Sequence, residues 1–203
     1  MYPGPEPKAQ EAPDDVIADL NPGPGSEAQQ APNDDVVIAR RLSKTWSDAL
    51  AEGSKPFESQ RYRSSRTGHM AFCKAGALIV FSESGATNVA GVAVLAGEAV
   101  TGCRQDAIPQ LQEELPTRLR GELYNYLKDA LTFDYVRVST VYDLRGLAIS
   151  WKAFATRVGA KLPGQWAGYP RLRPTGRAGL CSTILRFCAQ DGVVARTLVD
   201  EYL

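Results

Sequence analysis

Seven prolines within the first 33 residues limit where this chain can form a folded core. Proline fixes the backbone angle φ and has no amide donor, so it disrupts both helices and sheets. The positions between these prolines are mostly Gly, Gln, Ala and acidic residues, which bury too little apolar surface to offset the entropy lost on ordering. We therefore predict a flexible, acidic, proline-rich arm over residues 1–33 and one folded domain over residues 34–203.

The charges of the chain are separated along its length. Residues 1–35 contain eight acidic residues and one lysine, a net charge of −7, and the remainder carries +7. Between Leu144 and Gln190 there is no Asp or Glu. That window holds eight basic residues: Arg145, Lys152, Arg157, Lys161, Arg171, Arg173, Arg177 and Arg186. A basic body of this kind favours a polyanion as its partner, and nucleic acid above all.

The hydrophobic pattern of the body predicts a mainly α fold, a helical core domain with one small β-hairpin. Apolar residues recur at helical spacing in five segments: residues 34–50, 116–132, 143–159, 180–189 and 193–202. The apolar runs 77–81 and 89–95, separated by turn residues, predict the hairpin. A short extended piece is expected over 133–138, a polar loop over 54–68, and a Pro/Gly-rich connection over 162–179.

Motifs for catalysis or cofactor binding are not found in the sequence. It contains no phosphate-binding glycine loop, no HExxH and no GxSxG, and the single histidine, His69, lies in a polar stretch. The four cysteines follow no CxxC spacing. No apolar run is long enough to span a bilayer, and no secretory signal opens the chain. We therefore expect a soluble intracellular protein that is not an enzyme, with no cofactor, no metal and no membrane contact.

Two groups of arginines are predicted to bind RNA. The first lies in the Pro/Gly-rich connection and comprises Arg171, Arg173 and Arg177; the second alternates along the polar loop and comprises Arg61, Arg63 and Arg66. If the two segments converge, guanidinium groups would follow the phosphates of a single strand, and aromatic side chains would stack on its bases. The aromatic residues available are Tyr62, Trp166 and Tyr169.

An alternative interpretation is that these cations pair with acids elsewhere in the body. The available acids are Glu113, Glu114, Asp129, Asp134 and Asp143.

The arm contains a short duplication, because residues 12–18 recur in similar form at residues 31–39. The second copy opens the first predicted helix. We predict that the first copy docks on a neighbouring subunit through Val16, Ile17 and Leu20. Chance similarity in a biased sequence is the alternative.

The C-terminal part of the chain resembles the capsid proteins of flexible filamentous plant viruses, and the potexvirus-like branch in particular. The resemblance rests on Leu144-Arg145, on Trp151 in an amphipathic helix, and on the Pro163-to-Tyr169 element with Trp166-Ala167. It continues through Arg177, the apolar helix after it, and Asp191-Gly192-Val193.

Such a resemblance implies a mostly helical capsid subunit that polymerises around single-stranded genomic RNA. It implies an N-terminal arm that links neighbouring subunits into a helical polymer, and Arg145 and Arg177 facing the RNA. The expected locations are then the virion and the host cytoplasm. Two alternatives remain open: a non-polymerising RNA-binding regulator similar to silencing suppressors, and an adaptor whose acidic arm binds a basic protein.

Overall fold

A computed structural model describes residues 36–63, 70–164, 166, 170–176, 179–190 and 193–198. The predicted arm, with Val16, Ile17 and Leu20, lies outside these residues, as do Arg66 and Arg177. The described residues form nine strands and five α-helices. In chain order they are β1 (Val37–Leu42), α1 (Lys44–Ala51), β2 (Phe57–Tyr62), β3 (Leu78–Glu83), β4 (Gly91–Leu95), β5 (Val100–Cys103), α2 (Ile108–Glu113), α3 (Thr117–Leu127), β6 (Thr132–Asp143), α4 (Trp151–Val158), β7 (Ala160–Lys161), β8 (Arg173–Pro174), α5 (Leu180–Cys188) and β9 (Val194–Thr197).

The long strand β6 organises a seven-stranded mixed sheet. Its first half pairs with β2 and β5, and its second half pairs with β4 and β9, all antiparallel. The path then runs from β4 to β3 (antiparallel) and from β3 to β1 (parallel), giving the order β1-β3-β4-β6-β2. Strands β1 and β2 are therefore opposite ends of this path.

The sheet curls so that side chains of its two end strands reach each other. The guanidinium of Arg40 on β1 lies 3.2 Å from a carboxylate oxygen of Glu58 on β2. Because the backbone pairing separates these strands by three others, only a strongly curved sheet brings them together. The second hydrophobic cluster fills the inside of this curl and includes Ile38, Ile79 and Val136.

Helices α4 and α5 cover the other face of the sheet. Trp151 and Phe154 of α4 and Ile184 of α5 are buried against sheet residues such as Val37 and Val80. Ser150 caps α4, because its hydroxyl accepts a hydrogen bond from the backbone N–H of Ala153, which is one reason the helix starts there. Elsewhere, α2 and α3 pack on a third cluster of apolar side chains. None of the helices among the described residues is long and apolar enough to cross a bilayer.

The prediction of a mainly α fold is wrong. The first predicted helix, 34–50, begins as strand β1, and only Lys44–Ala51 is helical. Ile38 and Leu42 fit a helical spacing, but Ile38 lies in a strand buried on both faces, where alternation is lost. The last predicted helix, 193–202, contains strand β9.

Two further segments differ from the prediction. The polar loop expected over 54–68 contains strand β2, whose polar residues Glu58 and Ser59 are buried. The helix expected over 143–159 begins only at Trp151, because Asp143 ends β6 and a short 3-10 turn follows. The hairpin is confirmed as the antiparallel pair β3–β4, and the helix over 180–189 as α5.

Gly91 is a point where two backbones and a ring approach too closely for any side chain. A Cβ atom there would lie 2.6 Å from the ring of Phe81 and 2.7 Å from the carbonyl oxygen of Tyr142. We expect Gly91→Ala to lower the free energy of unfolding by about 1–3 kcal/mol, because the backbone of β6 has to shift. Urea denaturation with Gly97→Ala as control measures this, since nothing lies within 4 Å of a Cβ at Gly97. Equal stability of the two variants would contradict the predicted clash.

Candidate nucleic-acid interface

The layer that covers one face of the sheet is basic on its exposed side. We call α4, the β7–β8 pair and α5 the basic layer. Its cations are exposed and have no ion pair with any described residue: Lys152, Arg157, Lys161, Arg173 and Arg186. The inner side of the same layer is apolar and packs on sheet residues such as Val37 and Val80. Folding therefore presents these charges to solvent while anchoring the elements that carry them.

Two of these cations lie directly opposite each other. Lys161 on β7 and Arg173 on β8 are cross-strand partners in a two-stranded antiparallel pair. Like charges in this position destabilise a sheet. The arrangement would be relieved by an anion bound between them.

Helices α4 and α5 also bring a cation onto an aromatic ring. The guanidinium carbon of Arg157 lies 5.6 Å from the centre of the Phe187 ring, which itself packs on Phe154 at 5.4 Å. This contact holds Arg157 against the surface of α5. A planar guanidinium fixed in this way is a good ligand for phosphate oxygens.

A shallow groove of about 640 Å³ runs along α4. Its floor is apolar, formed by Leu147, Ile149 and Ala153, and the cations Lys152 and Arg157 line it as well. An apolar floor with basic side chains beside it suits a flexible polyanion that also has flat apolar parts.

Arg145, which the capsid resemblance placed against RNA, belongs instead to an ion-pair network. Its guanidinium lies 2.6 Å from Asp143 and 3.1 Å from Asp48. Partial burial alone would raise the pKa of Asp143, but hydrogen bonds from Arg145 hold that pKa below its usual value. The charge of Arg145 is thus neutralised locally, as the alternative interpretation of the sequence anticipated for Asp143.

The other predicted RNA-binding residues do not form one described groove. Arg61 donates a hydrogen bond to the backbone carbonyl of Tyr126 at 3.0 Å and lies over that ring, while Arg63 is exposed at the end of β2. Arg171 stacks on Phe72 at 4.2 Å, next to β1, and Arg173 belongs to the basic layer. Among the described residues, no hydrogen bond, ion pair or ring contact joins the Arg61–Arg63 group to the Arg171–Arg173 group.

The aromatic residues proposed for stacking also differ in their availability. The Tyr62 hydroxyl donates a hydrogen bond of 2.7 Å to Asp134 in the interior. That side chain is therefore used for packing. Trp166 is half-buried beside Trp151 at the start of α4, and Tyr169 lies outside the described residues.

A cluster of buried polar and charged side chains, which we call the buried charge cluster, was not predicted; it comprises Arg40, Lys55, Glu58 and Gln60. Lys55 donates to Glu58 at 2.5 Å, and Arg40 donates to Glu58 and to Gln60. Burial alone would raise the pKa of Glu58, but Lys55 and Arg40 outweigh it, so that pKa lies below its ordinary value. The Lys-x-x-Glu spacing is visible in the sequence, but it lies within the predicted polar loop 54–68, where no burial is expected.

The hydrogen bonds within this cluster indicate a structural role. Glu58 accepts from both cations, and the Gln60 amide donates onward to the carbonyl of Arg61 at 2.9 Å. The Lys55 ammonium also lies 4.8 Å from the centre of the Trp46 ring. With these partners the cluster joins β1 to β2 and closes the curled sheet.

Comparisons with known proteins give weak similarity only. No family model matches the chain, and no curated protein sequence matches it. Among solved structures, the chain is similar to ASCH from Zymomonas mobilis, with 14% identity, a TM-score of 0.46, and coverage of 74% of this chain and 94% of that chain. It is also similar to a protein from Leishmania major, with 15% identity, a TM-score of 0.43, and coverage of 77% and 96%. Similarity at this level transfers neither a function nor a site residue to this chain.

The resemblance to filamentous-virus capsid proteins is wrong. That family implies a mostly helical subunit, whereas β6 and its partner strands organise the core of this body. The segments that carried the resemblance form α4, the β7–β8 strand pair and α5. Arg145 forms an ion pair with Asp143. The comparisons offer no capsid protein in its support. The predictions of a helical polymer and of a virion as its location lose their basis with it.

Proposed function

We propose that this protein binds single-stranded RNA as discrete particles, as a non-polymerising RNA-binding regulator. The observation that carries the proposal is the basic layer, whose five exposed cations have no ion pair with any described residue. Surface cations that serve solubility alone are normally interspersed with acids. Here the acid-free window of the sequence becomes one side of an α/β layer.

The form of the basic layer favours a flexible strand over a rigid duplex. Its cations stand on a helix, a short strand pair and a second helix, beside the shallow groove along α4. Phosphates of a single strand adapt to such spacing, and binding through them depends strongly on salt.

The proposal includes no catalytic step, in keeping with the absence of catalytic motifs in the sequence. The side chains of Lys55 and Glu58 lie together in the interior and already bind each other at 2.5 Å. Their contacts support a structural role.

The first test is a charge-matched pair of triple variants. The test variant changes three cations of the basic layer: Arg157→Gln, Arg173→Gln and Arg186→Gln. The control changes three exposed cations around α2 and α3: Arg104→Gln, Arg118→Gln and Lys128→Gln. Fluorescence anisotropy with a labelled single-stranded RNA measures affinity at several salt concentrations.

We expect the test variant to bind roughly ten- to a hundredfold more weakly, with a salt slope smaller by about 2, because about three phosphate contacts are lost. The control should change the affinity far less. Equal weakening in both variants would show only a general charge effect, and absence of binding by the unmodified protein at about 50 mM salt would overturn the proposal. Electron microscopy of the complex should show discrete particles, and long filaments with RNA would contradict the regulator.

A further inference from the structure

One end of the basic layer carries a stack of aromatic rings and a guanidinium group. The guanidinium carbon of Arg41 lies 4.3 Å from the centre of the Trp166 ring. Trp166 in turn meets Trp151 edge to face, with ring centres 4.8 Å apart. Arg41 is exposed and has no ion pair with a described residue, and Trp166 is half-buried.

The buried polar groups that have no hydrogen-bond partner among the described residues include one that belongs to Trp151 of this stack. The indole N–H of Trp151, a residue that is 5% exposed, has no hydrogen-bond partner among the described residues. The hydroxyl of Ser82, which is 0% exposed, has none either. Most buried donors in folded proteins are paired, so an unpaired indole N–H needs an explanation.

Strand register places these groups on one face of the sheet. Arg41 on β1 is the direct partner of Ser82 on β3. Alternation puts Arg41 on the same face as Val37 and Ala39, and these belong to the cluster that also contains Trp151. Arg41, Ser82, Trp151 and Trp166 therefore gather where β1 and β3 meet the start of α4.

This combination fits one nucleotide. An aromatic ring offers a flat apolar surface for a base, a guanidinium offers two donors for a phosphate, and an unpaired indole N–H offers one donor for a carbonyl oxygen. The Trp166 ring is now covered by Arg41, whose long side chain can move to solvent without breaking an ion pair to any described residue.

We propose that Trp166 binds one unpaired base of single-stranded RNA, with Arg41 moving from the ring to the phosphate of that nucleotide and the Trp151 indole N–H donating to a carbonyl oxygen of the base. The inference rests on the proposed function and deepens it. It assigns to this end of the layer the selection of unpaired bases, whereas the cations of the layer bind phosphates in any sequence.

The test compares two probes of equal length and charge, a ten-nucleotide oligouridylate and the corresponding abasic RNA. Binding is followed by anisotropy and by tryptophan fluorescence, in the unmodified protein and in Trp166→Leu, Trp151→Phe and Arg41→Gln. Trp46→Phe is the control, because Trp46 lies at the buried charge cluster. Circular dichroism checks that each variant is folded.

We expect the unmodified protein to prefer oligouridylate over the abasic probe by roughly tenfold or more, with quenched tryptophan fluorescence. Trp166→Leu should remove this preference while leaving the affinity for the abasic probe unchanged. Trp151→Phe should reduce the preference without affecting the abasic probe, and Trp46→Phe should keep both the preference and the quenching.

The outcomes separate this inference from the proposed function. Equal affinity of the unmodified protein for both probes would overturn the proposal that Trp166 binds a base. This comparison uses only the unmodified protein, so it does not depend on whether a variant folds. If binding to both is still weakened by the Arg157, Arg173 and Arg186 changes, the proposed function stands alone. If the protein binds neither probe at about 50 mM salt, the proposed function itself fails.

Discussion

Replacing Glu58 with alanine is expected to lower the free energy of unfolding by about 3–5 kcal/mol, because the buried ammonium of Lys55 would lose its carboxylate partner and Arg40 would lose its ion pair with Glu58. The side chains of Lys55 and Glu58 are only 3% and 2% exposed, so solvent screens this pair weakly. Urea denaturation measures the change. Asp48→Ala would break the exposed pair with Lys44, but it is not a suitable control, because Asp48 also forms an ion pair with Arg145.

Lys44→Ala is therefore the control, because its side chain is 69% exposed and its only ion pair among the described residues is with Asp48. We expect that variant to change stability by about 0–1 kcal/mol. A similar small effect for Glu58→Ala would mean that water or a rearranged side chain replaces the carboxylate, and that the buried charge cluster does not hold the sheet closed.

The Lys55–Glu58 pair determines how the stability of the fold changes with pH. The pKa of Glu58 is lower in the folded chain than its usual value of 4.5, so ionised Glu58 stabilises the fold at and above that pH. This stabilisation is present above the unfolded pKa and is lost as the pH falls through the folded pKa. Glu58→Gln should show a smaller loss of stability between neutral pH and strong acid, as measured by the urea midpoint at each pH.

Phe154→Ala is expected to have a comparable effect, about 3–5 kcal/mol, because a completely buried ring is removed from between the sheet and α5. The ring also meets Trp151 at 6.4 Å and Phe187 at 5.4 Å, so its loss opens space on two sides. Leu162→Ala is the control, since Leu162 is 37% exposed. A loss below 1 kcal/mol for Phe154→Ala would indicate that the basic layer is not anchored through this ring.

Local patterns in the sequence predicted the elements whose residues determine their own conformation. The β3–β4 pair has apolar β-branched runs around a turn, and α5 has an uninterrupted apolar stripe, so both could be located. Strand β6 was located only in part, because its polar second half gains its partners β4 and β9 from distant segments.

The misassigned elements depend on contacts far apart in the chain. Strand β1 resembles a helix in spacing, and its strand conformation follows from parallel pairing with β3 and from coverage by α4 on one face. Strand β2 looked like an exposed loop because Glu58 and Gln60 are polar, and only Arg40 on the opposite end strand explains their burial. No local pattern contains that information.

For the candidate interface, counting charges located the acid-free window but could not show which of its cations are exposed and which form ion pairs. It identified Arg157 and Arg173, which are exposed in the basic layer, together with Arg145, which is neutralised by Asp143. The Arg41–Trp166 stack could not be predicted from the sequence, because its two residues are far apart in the chain. They come into contact only when β1 lies beside the basic layer.

The ion pair that links β1 to β2 also affects whether molecules of this protein aggregate through their strands. End strands with free backbone groups can recruit a strand from another chain and so begin aggregation. Here β1 already exchanges backbone hydrogen bonds with residues 170 and 172, and the inward side chains of Arg40 and Glu58 place charge where a foreign strand would have to insert. The cluster that links β1 to β2 thus places charge beside these two strands, so the addition of a foreign strand to either of them is disfavoured as long as the cluster is intact.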